Sequence, residues 1–528
     1  MPFLLRNLAL NPGEGDESLK GLLLARFSLA PGELAGFSVV RKAIDARKKP
    51  HIKFIYTIEF TLNDEAGFWR QHQHDQDIEI VPTKKQPLFP RLADKRRIMI
   101  VGMGPAGIFA GLRLLEYGLT PTIVEQGRPV AERVKDIASF WHKGALNPES
   151  NVQFGEGGAG TISDGKLTTR IRDTNTGYVL DKLVRFGAPG DILFLAKPHI
   201  GTDQLRRVIV NIRQHLEECG LVIRFQEKLT DIITGADRLQ AVVINGRLEE
   251  LCDVLLLAPG NSARATYAML EQRGIRLEQK PFAVGVRVEH PQELINQIQY
   301  GSPAPALLPP ADYALTWNDR ASGRSAYSFC MCPGGVVVAA ASEEGGVVTN
   351  GMSNYRRNSP FANSALVVSV GKDDFPDDSP LAGVEFQRAL ERRAFIAGGG
   401  DYRAPAQNLI SFMGEKGRRR LASSYRPGVR EADLSSVLPG YITDALRESI
   451  RSFDRKMRGF ITAEATLTGV ETRTSAPVRI VRGEDLQSLT LKGLYPVGEG
   501  AGYAGGIMSS ALDGIRAADA IASAIRAT

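Results

Sequence analysis

Ile98-Met99-Ile100-Val101-Gly102-Met103-Gly104-Pro105-Ala106-Gly107 is the stretch that decides the fold. A short apolar strand, Arg97 to Val101, opens into G-x-G-x-x-G and runs on as a helix from Pro105 to Tyr117. Proline at a first helical position costs no hydrogen bond, and Gly111 marks a close helix–sheet approach. A second apolar strand ends at Ile123-Val124-Glu125, about 20 residues after the first glycine, where a dinucleotide ribose would be met. Each part has a physical job. Gly102 permits the tight turn, Gly104 lets backbone approach a pyrophosphate, and Gly107 lets the helix pack on the sheet. The helix N-terminus offers unpaired N–H groups and partial positive charge. Glu125 accepts from ribose hydroxyls and repels a 2′-phosphate, which argues against NADP there; Gln126 follows it at the ribose end.

Outward from this core, a helix is expected over Asp203 to Cys219, then strands at Leu221 to Phe225, Lys228 to Ile233, Leu239 to Ile244 and Asp253 to Ala258. Residues 270–485 read as many short β-like runs and polar loops, and Ile507 to Ile525 as a long C-terminal helix. Residues 1–90 read as a separate α+β module with the order strand, helix, strand, strand; Pro82 to Asp94 is a linker. The expected domains are therefore 1–90, 95–269, 270–485 and 486–528, the last completing the second.

The bulk composition restricts the class. A chain of 528 residues, 43% hydrophobic and 23% charged, is neither disordered nor fibrous. Four cysteines are too few for a disulfide scaffold and fit a reducing compartment, so a cytoplasmic protein is expected. The formal charge of +6 is compatible with an anionic ligand without demanding nucleic acid. No signal peptide or membrane span is expected, and no His/Cys/Asp/Glu cluster has metal-ligand spacing.

Two later segments specify the dinucleotide. Val254 to Asn261 is a buried strand ending at Ala258, Pro259 and Gly260. Leu494-Tyr495-Pro496-Val497-Gly498-Glu499-Gly500-Ala501-Gly502-Tyr503-Ala504-Gly505-Gly506-Ile507-Met508 leads into the last helix. With Gly102 to Gly107 and Glu125, these resemble the two-dinucleotide-binding-domain flavoproteins related to glutathione reductase. That resemblance implies FAD at the first motif, with Gly498, Glu499, Gly505, Gly506, Ile507 and Met508 along the flavin; the related proteins usually carry Asp where Glu499 stands. Asn151 to Leu167, Phe329 to Gly335, Thr349 to Ser353 and Glu471 to Arg479 resemble a large bacterial family of uncharacterised FAD-dependent dehydrogenases. The fold class implied is α/β: a Rossmann-like FAD-binding domain, an inserted mainly-β or α+β substrate domain, and a ferredoxin-like N-terminal module. The only complete dinucleotide fingerprint, a strand, G-x-G-x-x-G, a helix and an acid-ended second strand, is Gly102 to Glu125, so no built-in NADH module is expected.

Around the flavin, the loop Gly155 to Lys166 is expected against the ring. Gly157, Gly158, Ala159 and Gly160 would bring backbone close, and Ser163, Asp164 and Lys166 would bond the ring edge. Cys330 and Cys332 read either as a redox pair or as two buried hydrophobes on one strand face, the latter favoured; Cys219 and Cys252 read as core. His199 is a proton donor, a flavin contact or, the favoured reading, a structural loop residue. Arg473 and Arg479 hold an anionic substrate or are solvated. The expected function is an FAD-dependent oxidoreductase with a small-molecule substrate and a separate electron donor or acceptor. The alternatives are an FAD-dependent RNA-modifying enzyme, using Arg41 to Lys53 and Lys416 to Arg420, and a non-catalytic FAD-stabilised scaffold whose N-terminal module binds a protein.

Overall fold

The computed structural model describes residues 2–82, 88–169, 171–301, 307–415 and 420–527. The N-terminal module runs β1 (Phe3–Leu10), α1 (Ser18–Phe27), β2 (Leu34–Asp45), β3 (Lys53–Leu62), α2 (Glu65–His72) and β4 (Ile78–Ile80). Its sheet order is β2-β3-β1-β4, antiparallel throughout, with Phe3, Leu5, Tyr56, Ile58 and Phe60 in its own core. The sequence reading stopped at the second hairpin arm and missed α2 and β4. These are short, and Asp64 caps α2 by accepting from the Gly67 N–H, a signal present in the sequence. The module docks through β2: the Lys42 N–H donates to the Phe194 carbonyl (2.7 Å), and the Ala196 N–H donates to the Lys42 carbonyl (2.9 Å). The expected linker lies partly outside the described residues.

The central layer contains β5 (Ile98–Val101), α3 (Pro105–Glu116), β6 (Thr122–Glu125), α4 (Val130–Lys143), α5 (Thr176–Arg185), α6 (Thr202–Glu218) and β7 (Val222–Phe225). After it come β8 (Leu229–Gly235), β9 (Arg238–Ile244) and β10 (Leu248–Leu251), an antiparallel three-stranded sheet, then β11 (Val254–Leu257), α7 (Arg264–Gln272) and β12 (Leu277–Gln279). Strands β5, β6, β7 and β11 belong to one five-stranded parallel sheet. They are mostly unbroken apolar runs, as a sheet covered on both faces requires.

The inserted region carries β13 (Phe282–Pro291), α8 (Gln292–Tyr300), β14 (Thr316–Asn318), β15 (Ser325–Cys332), β16 (Val336–Ala339), β17 (Thr349–Met352), β18 (Phe361–Val370), α9 (Ala382–Gly398), β19 (Ala404–Asn408), α10 (Leu409–Phe412), β20 (Val429–Glu431), α11 (Gly440–Lys456) and β21 (Thr466–Glu471). Its seven-stranded sheet has the order β14-β15-β18-β13-β21-β19-β20. Short β runs and loops were expected here, whereas α9 and α11 are 17 residues each. Both place an apolar stripe on the sheet, with Leu390 and Ala394 on one helix and Ile442, Leu446, Ile450 and Phe453 on the other.

The chain returns through β22 (Val478–Ile480), which pairs antiparallel with β12, and β23 (Leu494–Pro496), which adds to the parallel sheet beside β11. Helix α12 (Ile507–Arg526) then packs against α3. Among the described residues, no helix is long and apolar enough to cross a membrane.

Candidate functional site

The carboxyl ends of β5, β6, β11 and β23 open into one cleft of about 730 Å³, roofed by the inserted sheet. Ligands of open parallel sheets sit at that edge. Gly102 has φ +96°, and a Cβ there would stand 2.2 Å from the Ala258 carbonyl oxygen, so no other residue fits the turn. Gly107 lies behind the cleft, where a Cβ would meet the Gly102 carbonyl oxygen at 2.0 Å. Two helices of 12 and 20 residues, α3 and α12, begin on this cleft at Gly104 and Gly506, and neither has a side-chain cap. Two positive helix ends therefore face one groove with their first N–H groups offered to a ligand.

Glu125 is buried. Its Oε1 accepts from the Gly127 and Gly155 N–H groups (2.9 Å each), and Oε2 accepts from Met103 N–H (2.8 Å). A carboxylate has about four acceptor positions, so about one remains for a ribose hydroxyl, where two such bonds were expected. Its main structural work is to tie the glycine loop to the first turn.

That loop is organised by a residue the sequence reading did not single out. Arg133 is 1% exposed and donates to the carbonyls of Asn151, Val152, Gly155, Glu156 and Gly158 at 2.7–3.2 Å. Burial pulls its pKa down to about 10. The signal was legible: Val130, Arg133, Ile137, Phe140 and Trp141 are the buried stripe of α4, and one member is an arginine. The Glu156 carboxylate accepts from Val130 N–H (2.7 Å) at the start of the same helix and from Arg213 Nε (2.8 Å).

Of the expected cofactor residues, Gly102, Gly104, Pro105, Ala106, Glu125, Gln126, Gly158, Ala159, Gly160, Ser163, Asp164, Ala258, Gly260, Gly498, Glu499, Gly505, Gly506 and Ile507 line the cleft. Gly107, Gly157 and Met508 do not; Met508 is 1% exposed within the α12 packing, and the Gly157 N–H donates to the Met103 carbonyl (2.8 Å). Two of the loop's expected ring-edge partners are already engaged. Ser163 Oγ donates to the Gly160 carbonyl (2.6 Å), and Asp164 is buried and clamped by Arg357 (2.6 and 3.1 Å) and the Ser353 hydroxyl. Burial pushes the Asp164 carboxyl up, but Arg357 outweighs it and holds it below the usual range. Lys166 is the third, part-exposed on the cleft with Nζ 3.9 Å from Asp164.

His199 is not on the cleft. Its Nε2 bonds the Tyr355 carbonyl (3.0 Å), its ring stacks on Tyr355, and burial with the nearby Arg357 lowers its pKa, which makes it a structural residue. Arg473 reaches the cleft but is neither solvated nor available to an anion: Glu391 takes its Nη2 (2.9 Å) and Nε (3.1 Å), and Ser342 takes Nη1 (2.5 Å). The same carboxylate binds Arg264 of α7 (2.7 and 3.0 Å), so one ion cluster joins roof to floor. Arg479 is exposed on β22, off the cleft. Glu499 accepts from Asn261 Nδ2 (2.7 Å); burial raises its carboxyl to about 7. Lys280, on the same cleft, donates to Ser475 Oγ (2.7 Å). The Cys pair does not share a strand face: Cys330 opens on the cleft, and Cys332 is fully buried. Cys219 is exposed rather than core, because it lies just past the end of α6, while Cys252 is buried. Of the basic groups proposed for RNA, Lys42 is paired with Asp16 and Arg47 with Asp45; residues 416–419 lie outside the described residues.

Residues 281–474 match the family described as FAD-dependent protein, C-terminal domain-like, and residues 4–61 match a domain of unknown function. With the cleft, this makes the chain an FAD-dependent flavoprotein, and FAD is its cofactor. A protein of Clostridium beijerinckii, described only as an uncharacterized protein, is 44% identical over 526 residues, covering 99% of this chain and 98% of that one; the chain belongs to its family. Solved structures with similarity include a flavin-dependent brominase (13% identity, 82% of this chain and 80% of that one, TM-score 0.37) and the open form of a flavocytochrome c3 fumarate reductase (11%, 81% and 78%, TM-score 0.34). At these scores neither bears on the reaction.

Proposed function

We propose that the protein is an FAD-dependent oxidoreductase, passing a hydride or electrons between a small-molecule substrate and a separate donor or acceptor. The observation that carries this reading is the pair of uncapped helix ends, at Gly104 and Gly506, facing one roofed cleft. In this reading residues 95–269 and 486–528 hold the cofactor in the manner of the glutathione-reductase-related flavoproteins, residues 270–485 roof it, and residues 1–90 are a docking module. The α3 end holds the pyrophosphate. The α12 end lies at the flavin, where its dipole favours the negative charge of the reduced form. When bound, FAD supplies the two-electron chemistry. The protein orients the ring with the glycine loop, excludes water with the inserted sheet, and holds protons at Glu499 and Lys280.

Acid precipitation of the purified yellow protein should release FAD intact, and anaerobic mixing with NADH, NADPH and a metabolite panel should bleach it with at least one donor. A colourless protein that cannot be reconstituted would defeat the reading. Nicotinamide should reduce it weakly and without clear saturation, because the sequence carries no second complete dinucleotide fingerprint.

A further inference from the structure

Strand β15 pairs with β18 in regular register from Ala326↔Val368 to Phe329↔Ala365, then resumes at Cys332↔Asn363, so β15 carries one extra residue. Cys330 sits at this bulge with φ 44°, a left-handed conformation unfavourable for a residue with a Cβ. Its carbonyl is pinned twice, by the Cys332 thiol (3.2 Å) and by Arg287 Nη1 (3.2 Å). Arg287 is itself fixed by Glu471 (2.7 and 3.0 Å) and Asn363 (2.8 Å). An unbulged strand would bury both sulfurs on one face or expose both. The bulge instead turns Cys330 into the cleft and leaves Cys332 beneath it. Strained backbone held by a charged network is found where a side chain must be aimed.

The groups around the Cys330 sulfur come from every element packed on it: Cys332 on its own strand, Lys166 on the glycine loop, Arg287 on β13, and the opposing carboxylates Glu471 on β21 and Glu499 after β23. The neighbouring Cys332 thiol is the largest influence. It outweighs burial, and with Lys166 and Arg287 it lowers the Cys330 thiol to about 6, while Cys332 is raised well above the usual thiol value. Such surroundings favour the thiolate, the nucleophilic form of a cysteine.

We propose that Cys330 is a nucleophilic thiol of the cleft, presented from the roof to an electron-poor carbon of a small substrate, with Cys332 as its positioning residue. The sulfur lone pair forms the S–C bond as the π pair of that carbon moves onto its electronegative neighbour, which takes up the proton the thiol has given up, so no oxidant or reductant enters. This goes beyond the oxidoreductase reading and does not need the identity of the electron donor.

The test is iodoacetamide labelling of the full-length protein, FAD-loaded and FAD-stripped, with the modified peptides mapped by mass spectrometry. Flavin content is read by absorbance in each sample. Exposed Cys219 is an internal reference in the same molecule. Cys330 should label with a pH midpoint about two units below that of Cys219, and FAD should slow Cys330 alone. Cys332→Ala should raise the Cys330 midpoint by about one pH unit or more, and Cys332→Ser, which keeps a donor, should restore most of it. Lys166→Met provides the same readout from outside the buried strand, should the Cys332 variants not fold. A Cys330 midpoint at or above that of Cys219, or one unmoved by Cys332→Ala or Lys166→Met, overturns the proposal. Failure to bind FAD would refute the flavin reading while leaving the midpoint comparison intact.

Discussion

The two ends of the cleft hold their contents by different means. At the Glu125 end the contacts are backbone: glycine turns, a helix terminus, and a carboxylate occupied by the N–H groups of Met103, Gly127 and Gly155. At the roofed end they are titratable side chains, Lys166, Lys280, Cys330 and Glu499. Burial moves Lys280 and Glu499 from their ordinary ionisation, and the neighbouring Cys332 thiol moves Cys330. A backbone cradle recognises a shape and charge that do not change during turnover. Shifted ionisations are a feature of reacting sites. In the proposed reading, one groove thus separates retention of the cofactor from reaction upon it.

The largest effect should come from breaking the cradle. Gly102→Ala drives a Cβ to 2.2 Å from backbone that cannot retreat. The purified variant should be colourless, with FAD affinity reduced at least ~100-fold. If it is yellow with normal affinity, the backbone end does not govern retention.

Next is the bolt between the two ends. Arg264→Met leaves the buried Glu391 with Arg473 and the Thr472 hydroxyl. Breaking a buried pair costs about 3–5 kcal/mol, to be read from denaturant unfolding. The stability gap between wild type and the variant should also narrow in acid. Burial pushes the Glu391 carboxyl up, but the two arginines outweigh it and hold it at about 2. That stabilisation is present above the unfolded value of about 4.3 and is lost as pH falls toward 2. A gap unchanged between pH 5 and pH 3 would contradict the role.

A smaller change sharpens the comparison within the cradle. Glu125→Gln keeps the shape but supplies one oxygen where two accept. Losing one charge-assisted bond, about 1.5–3 kcal/mol, should weaken FAD binding at least ~10-fold in equilibrium titration.

The smallest effect is expected at Glu499. Its folded pKa of about 7 lies above the unfolded value of about 4.3, so its contribution to stability is fully present below pH 4 and is lost as pH rises through 7. FAD-free wild type should lose on the order of 1 kcal/mol between pH 6 and 8, and Glu499→Gln should not.

The cradle was legible in the sequence because its parts lie within about 30 residues and each glycine answers a local backbone need. The roofed end was not. Asp164 reads as an available acceptor until Arg357, 193 residues away, is seen to clamp it. Arg473 reads as an anion-holder until Glu391 appears 82 residues before it. Cys330 and Cys332 read as one strand face because the bulge that parts them depends on pairing with β18, not on any residue in β15. Arg133 alone could have been found, as a charge within an apolar helical stripe.

The Arg264–Glu391–Arg473 cluster also sets a rule of inheritance. One carboxylate serves arginines from two layers, and Glu343 also accepts from Arg264 (2.6 Å), so losing any member unbalances a buried charge network, whereas exchanging the network together for apolar groups of similar volume need not destabilise. Drift through single changes is therefore blocked. Across relatives these three positions should vary as a block, either all retained or all exchanged, and a chain that keeps two should carry a compensating charge close by.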